Sequence, residues 1–77
     1  MNEKQTILII EDDRAISNFI SRALTASDYR PIPAFTGKEG LSLFFSHGPD
    51  LVLLDLGLPD MDGLEILTQM RGLPREI

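Results

Sequence analysis

The chain contains no cysteine, so neither a disulfide framework nor a thiolate metal site is open to it. It has a single histidine, His47, and its only lysines are Lys4 and Lys38. No apolar run approaches the roughly 20 residues that cross a bilayer. The opening Met1-Asn-Glu-Lys-Gln-Thr6 is polar and carries no apolar signal region, so a cytoplasmic location is expected. Positive charge is scarce: 7 Lys and Arg stand against 12 Asp and Glu, a net charge of -5. That balance argues against a nucleic-acid-binding surface. At 77 residues the chain can build one small domain with a modest core. Its 43% hydrophobic and 25% charged residues are ordinary for a globular protein. Internal repeats and low-complexity segments are absent.

What is present centres on Leu51-Val-Leu-Leu-Asp55-Leu-Gly-Leu-Pro59-Asp-Met-Asp-Gly63. Four apolar residues bounded by turn formers read as a strand buried on both faces. Asp55 then stands at its carboxyl end, where open parallel sheets place their ligand chemistry. A second run, Ile7-Leu-Ile-Ile10, ends in Glu11-Asp12-Asp13. Six of the acidic residues (Glu11, Asp12, Asp13, Asp55, Asp60 and Asp62) therefore fall in two strand-end loops.

Between these runs the chain alternates. Strand one is expected at Thr6–Ile10, with Asp13 as N-cap of helix one over Arg14–Ser27. The apolar stripe of that helix is Ala15, Ile16, Phe19, Ile20, Ala23 and Leu24, with Arg14, Ser17, Asn18, Ser21 and Arg22 filling most of the other side. Strand two, Arg30–Phe35, contains Pro31 and Pro33 and belongs at a sheet edge. Thr36-Gly-Lys-Glu39 is a capping box opening helix two, Gly37–His47, with Leu41 and Phe44 inward and Phe45 a further candidate. Gly48-Pro49 ends it. Strand three is Leu51–Leu54, and helix three is Leu64–Met70 with Leu64, Leu67 and Met70 toward the sheet. Gly72 and Pro74 end that helix.

This βαβαβα pattern is α/β with a parallel sheet. Right-handed crossovers and an edge position for strand two give the order 2-1-3. Helix one then lies on one face and helices two and three on the other. The two acidic strand ends become neighbours, and their repulsion calls for a proton or a cation. Oxygen ligands without His or Cys favour Mg2+ or Ca2+.

A carboxylate at Asp55 can act as a nucleophile toward phosphorus, forming an aspartyl phosphate. Phosphoryl transfer needs charge neutralisation and in-line positioning above all. Glu11 and Asp12 can hold a Mg2+ that also meets Asp55, and the Gly57 carbonyl can complete the set. Pro59 stiffens the loop, and Gly63 supplies a turn or a close backbone approach. Asp60 and Asp62 read as caps of turns and of the start of helix three. His47 reads as a C-terminal helix residue facing the helix dipole. Asp60-Met-Asp62-Gly63 does not make a calcium loop, because Leu58 stands where an acid or amide is needed.

These motifs, including the Asp55-x-x-x-Pro59-x-x-x-Gly63 spacing, resemble the amino-terminal part of a bacterial response-regulator receiver domain, a flavodoxin-like fold. The wording Asp55-Leu-Gly-Leu-Pro-Asp60 is similar to Kdp potassium-transport regulators of the winged-helix (OmpR-type) subclass. The resemblance implies that Asp55 is the phosphoacceptor, Asp12 a direct Mg2+ ligand, Glu11 a ligand through water and the Gly57 carbonyl a third protein ligand. It implies a sensor histidine kinase as phosphoryl donor, and a self-catalysed transfer in place of a conventional enzyme activity. It covers about three of the family's five βα units, so residues 1–77 are expected to be a partial receiver domain. Strand four would begin at Glu76-Ile77, and strands four and five, the last helices and a DNA-binding domain would lie beyond. The Ser/Thr and Lys that those strands carry would be missing, so phosphorylation of Asp55 in this piece is expected to be weak or absent, with Mg2+ binding able to survive.

Two other readings stand beside this one. A Mg2+-dependent phosphohydrolase would usually carry a second acid where this chain has Gly57. A non-phosphorylated interaction module would self-associate through an exposed strand-three edge, as a homodimer.

Overall fold

A computed structural model of the chain describes residues 3–72. Pro74 and the Glu76-Ile77 start of strand four lie outside the described residues. The elements are β1 (Thr6–Ile10), α1 (Arg14–Ala26), β2 (Arg30–Ala34), α2 (Gly37–His47), β3 (Leu51–Leu54) and α3 (Gly63–Arg71). The three strands form one parallel sheet in the order β2-β1-β3. Proline-bearing β2 is at one edge, as its missing N–H groups require. β1 is central, with Ile10 opposite both Ala34 and Leu54.

Strand alternation divides the apolar residues between two faces. Leu8 and Ile10 join Ala34, Leu41, Leu58 and Ile66 in the main core, beneath α2 and α3. Ile9 and Leu53 turn the other way, toward Ile20 of α1. α1 rests on β1 and β2. It leaves β3 open, so Leu51 is 53% exposed and Leu53 is exposed beside it. Among the described residues β3 is an edge strand, as the 2-1-3 order requires, and it is covered on one face only, which corrects the reading of strand three as buried on both faces.

The helix caps follow local chemistry. The Asp13 carboxylate accepts from the N–H groups of Ala15 (2.9 Å) and Ile16 (3.1 Å) at the start of α1. Thr36 Oγ1 accepts from Glu39 N, and Glu39 reaches back to accept from Phe35 N. Gly48 and Gly72 end α2 and α3 in left-handed backbone, the conformation that favours glycine. α1 ends instead on Asp28, with a φ of 71°. Tyr29 N donates to Leu24 O and Asp28 N to Thr25 O, which is a Schellman arrangement.

Helix phase departs from expectation in three places. On α1 the inward positions are Ser17, Ile20, Ser21 and Leu24, whereas Ile16 and Phe19 (74% exposed) face outward. The expected stripe straddles the boundary of what the sheet covers. On α3 the inward line is Gly63, Ile66 and Met70, and Leu64 is 71% exposed with Leu67 also outward. Gly63 is buried against Leu56, whose Cα would stand 3.3 Å from a β-carbon placed there. On α2, Phe45 is exposed and stacks edge-on against half-buried Phe44, with ring centroids 5.1 Å apart.

Candidate acidic centre at the sheet edge

Two backbone hydrogen bonds carry the sheet right up to the acidic loops. Asp55 N donates to Ile10 O at 3.0 Å, and Glu11 N donates to Ala34 O at 3.0 Å. Leu54 is in register with Ile10, the last residue of β1, so Asp55 and Glu11 leave their strands side by side. The result is one cluster. Glu11, Asp12 and Asp55 each place a carboxylate oxygen so that the three oxygens lie within 4.8 Å of one another. Glu11 and Asp55 are half-buried and Asp12 is exposed.

Local bonds hold the side chains in place. Gly57 N donates to Asp55 Oδ1 at 2.9 Å, a tight turn that fixes the Asp55 carboxylate over the loop. Asp13 N donates to Glu11 Oε2 at 3.0 Å. That bond draws the Glu11 carboxyl downward, but partial burial and the Asp55 and Asp12 charges together outweigh it. The net direction is upward from its ordinary value. Crowded carboxylates are what a cation would relieve. Ligating oxygens around Mg2+ stand roughly 3–4 Å apart, and a purely carboxylate set suits it better than zinc or copper. The residues fit a Mg2+ ion. Beneath the cluster, a cleft of about 160 Å3 lined by Ile9, Ile20 and Leu53 separates α1 from β3.

Each expected site residue has a definite place. Glu11, Asp12 and Asp55 come together, and Gly57 adjoins Asp55 through its N–H. Asp13 caps α1. Asp62 caps α3, accepting from Leu64 N at 2.9 Å. Asp60, expected to cap turns or the start of α3, instead caps α2: its carboxylate accepts from Gly37 N at 2.8 Å and Lys38 N at 3.0 Å. These N–H groups hold its carboxyl below the usual range. No local signal marks that pairing, because its partners lie 23 and 22 residues away. Arg14 was equally hidden: its guanidinium carbon lies 4.0 Å from the Phe35 ring centroid, tying the start of α1 to the end of β2. His47 ends α2, its Nδ1 2.8 Å from Ser46 Oγ.

A three-stranded parallel 2-1-3 sheet with carboxylates gathered at the carboxyl ends of adjacent strands defines a flavodoxin-like α/β protein with its site at a topological switch point. Its family follows from comparison. The family model described as the response regulator receiver domain matches residues 7–77, and the chain belongs to that family. Among curated proteins, the KDP operon transcriptional regulatory protein KdpE of Escherichia coli is 43% identical over 65 residues, 84% of this chain and 29% of that protein. The transcriptional regulatory protein KdpE of Mycobacterium tuberculosis is 42% identical over 66 residues, 86% of this chain and 29% of that one. The chain thus spans under a third of the length of these relatives. Among solved structures, a CheY-like receiver domain from Methanospirillum hungatei superposes with a TM-score of 0.88 at 34% identity, covering 91% of this chain and 56% of that one. The response regulator TrrA of Thermotoga maritima, solved in complex with Mg2+-BeF, gives 0.84 at 34% identity, covering 88% and 59%. Among the described residues, no helix is long and apolar enough to cross a membrane.

Proposed function

We propose that this chain is the phosphoacceptor segment of a two-component response regulator that controls transcription. In this reading Asp55 accepts a phosphoryl group from the phosphohistidine of a sensor histidine kinase. The observation that carries it is the meeting of Glu11, Asp12 and Asp55 at one sheet edge. An Asp55 carboxylate oxygen forms a bond to phosphorus as the phosphorus–nitrogen bond of the donor breaks, and the electron pair leaves with the imidazole. The Gly57 N–H orients Asp55 by holding Oδ1. Glu11, Asp12, Asp55 and the Gly57 carbonyl are the groups that would hold Mg2+. When bound, the ion neutralises charge on the phosphoryl oxygens. The Mg2+-BeF complex of the Thermotoga relative supports the same ligand class.

The phosphoryl group stays on the chain, so the segment is a self-phosphorylating acceptor and not a conventional enzyme. With a net charge of -5 it makes no direct nucleic-acid contact of its own, and it works in the cytoplasm. The test is intact mass after incubation with Mg2+ and a small phosphodonor. One added phosphoryl group on a minor fraction of the chain, absent from Asp55→Asn, is expected. A folded chain with no addition under these conditions overturns phosphorylation of this segment and favours the second reading below.

The open β3 edge favours a second reading, in which the chain self-associates. Among the described residues no strand pairs with the outer side of β3, where Leu51 and Leu53 are exposed, and Phe19 is exposed on the helix across the cleft. A two-fold dimer that covers the β3 region answers both features. Sedimentation is expected to show a dimer that Leu53→Lys disperses. A folded monomer at high concentration defeats this reading.

A further inference from the structure

The Asp55–Gly57 turn continues into a loop whose far end is fastened to a different helix. Gly37, Lys38 and Glu39 are the first three residues of α2, and their N–H groups have no partners within the helix. Thr36 Oγ1 takes the Glu39 N–H, and Asp60 takes the other two, one on each carboxylate oxygen. The contact is close as well as polar. A β-carbon at Gly37 would stand 2.9 Å from Ile66 Cδ1 and 3.1 Å from Met61 Cβ. Between Gly57 and Asp60 lie only Leu58, which is buried, and Pro59, whose ring locks φ. The stretch from Asp55 to Asp60 is therefore pinned at both ends, by the Gly57 turn and by α2.

We propose that Asp60 is a positioning residue for the acidic centre: by clamping the β3–α3 loop to the N-terminus of α2, it fixes where Asp55 and Gly57 stand. The inference rests on the proposed Mg2+ site, and it adds a dependence of that site on a helix that contributes no ligand to it. A carboxylate is suited to the task because it offers an acceptor to each of two N–H groups and a charge that favours a helix N-terminus. An asparagine offers one acceptor and turns a donor toward the second N–H. An alanine offers none.

The test compares Asp60→Ala and Asp60→Asn with Thr36→Ala, which removes a cap from the same helix without touching the loop. Two quantities are read: the Mg2+ dissociation constant by calorimetry, and amide hydrogen exchange at Gly57 in metal-free protein. Asp60→Ala is expected to weaken Mg2+ binding about tenfold, the scale of other residues that orient metal ligands, and to speed exchange at Gly57. Asp60→Asn is expected to fall between Asp60→Ala and the parent chain. Thr36→Ala should lower stability while leaving both quantities within about twofold of the parent, as expected for a site its loss does not reach. Unchanged Mg2+ affinity and unchanged Gly57 exchange in a folded Asp60→Ala chain would overturn the clamp and leave the metal site standing. A parent chain that binds no Mg2+ overturns the metal site itself, and this inference with it.

Discussion

Gly40 of α2 lies directly against Ile10 of β1, the residue that precedes the acidic cluster. A β-carbon at Gly40 would stand 2.5 Å from Ile10 Cδ1 and 2.7 Å from Cγ1. Ile10 is fully buried and has nowhere to retreat. Gly40→Ala is expected to destabilise the chain by about 1–2 kcal/mol. Overpacking of this kind costs roughly 1–3 kcal/mol, offset by up to ~1 kcal/mol of helix propensity. Urea denaturation checks it, and a more stable variant would show that α2 can move away from β1.

The two neighbouring apolar positions on α3 should behave oppositely. Ile66 is wholly enclosed in the main core, whereas Leu64 is mostly in solvent. Ile66→Ala is expected to cost about 2–5 kcal/mol, and Leu64→Ala to stay within about 0.5 kcal/mol. Equal losses would mean that α3 is turned about its axis from the phase described.

Asp28 holds a left-handed backbone conformation after α1, at a position that glycine fills with less strain. Its ion pair with Lys4 spans 3.6 Å at the surface and contributes little. Asp28→Gly is expected to stabilise the chain by about 0.5–1 kcal/mol, the usual order for relieving such strain after its entropy cost. Thermal unfolding measures it.

Acid should act through Asp60. Its folded-state pKa is lowered, first by the Gly37 N–H and then by that of Lys38. The stabilisation is complete above the unfolded-state value, near 3.9 for an aspartate, and disappears as pH falls through the lowered folded value. Stability measured from about pH 5 downward should fall less steeply in Asp60→Asn than in the parent chain. Parallel curves would remove Asp60 from the acid response.

Glu11 carries the opposite sign. Its pKa is raised, so the folded metal-free chain gains from protonating it and loses as pH rises through that value. Glu11→Gln is expected to unfold at a higher temperature than the parent at neutral pH without metal, and to bind Mg2+ more weakly. A less stable metal-free variant would show that the Asp13 N–H bond outweighs the carboxylate repulsion.

Much of this protein is written locally. Two short apolar runs each closing in acid, two prolines within a single strand, Asp13 before α1 and the Thr36–Glu39 pair each act within a few residues. They identify the parallel sheet, its 2-1-3 order, the helix starts and the residues of the acidic cluster without reference to distant parts of the chain. Periodicity also reveals that α1 and α3 have apolar sides. It cannot say which portion of those sides is covered, because coverage depends on where neighbouring elements sit. Tertiary packing alone turned Ser17 and Ile66 inward and left Phe19 and Leu64 in solvent. It also decided the partner of Asp60. A carboxylate beside a nearby helix start looks like the cap of that helix. Only when β3 pairs with β1 and α2 packs on the same face do the N–H groups of Gly37 and Lys38 come closer, because a hydrogen bond requires contact within about 3 Å whatever the separation in sequence.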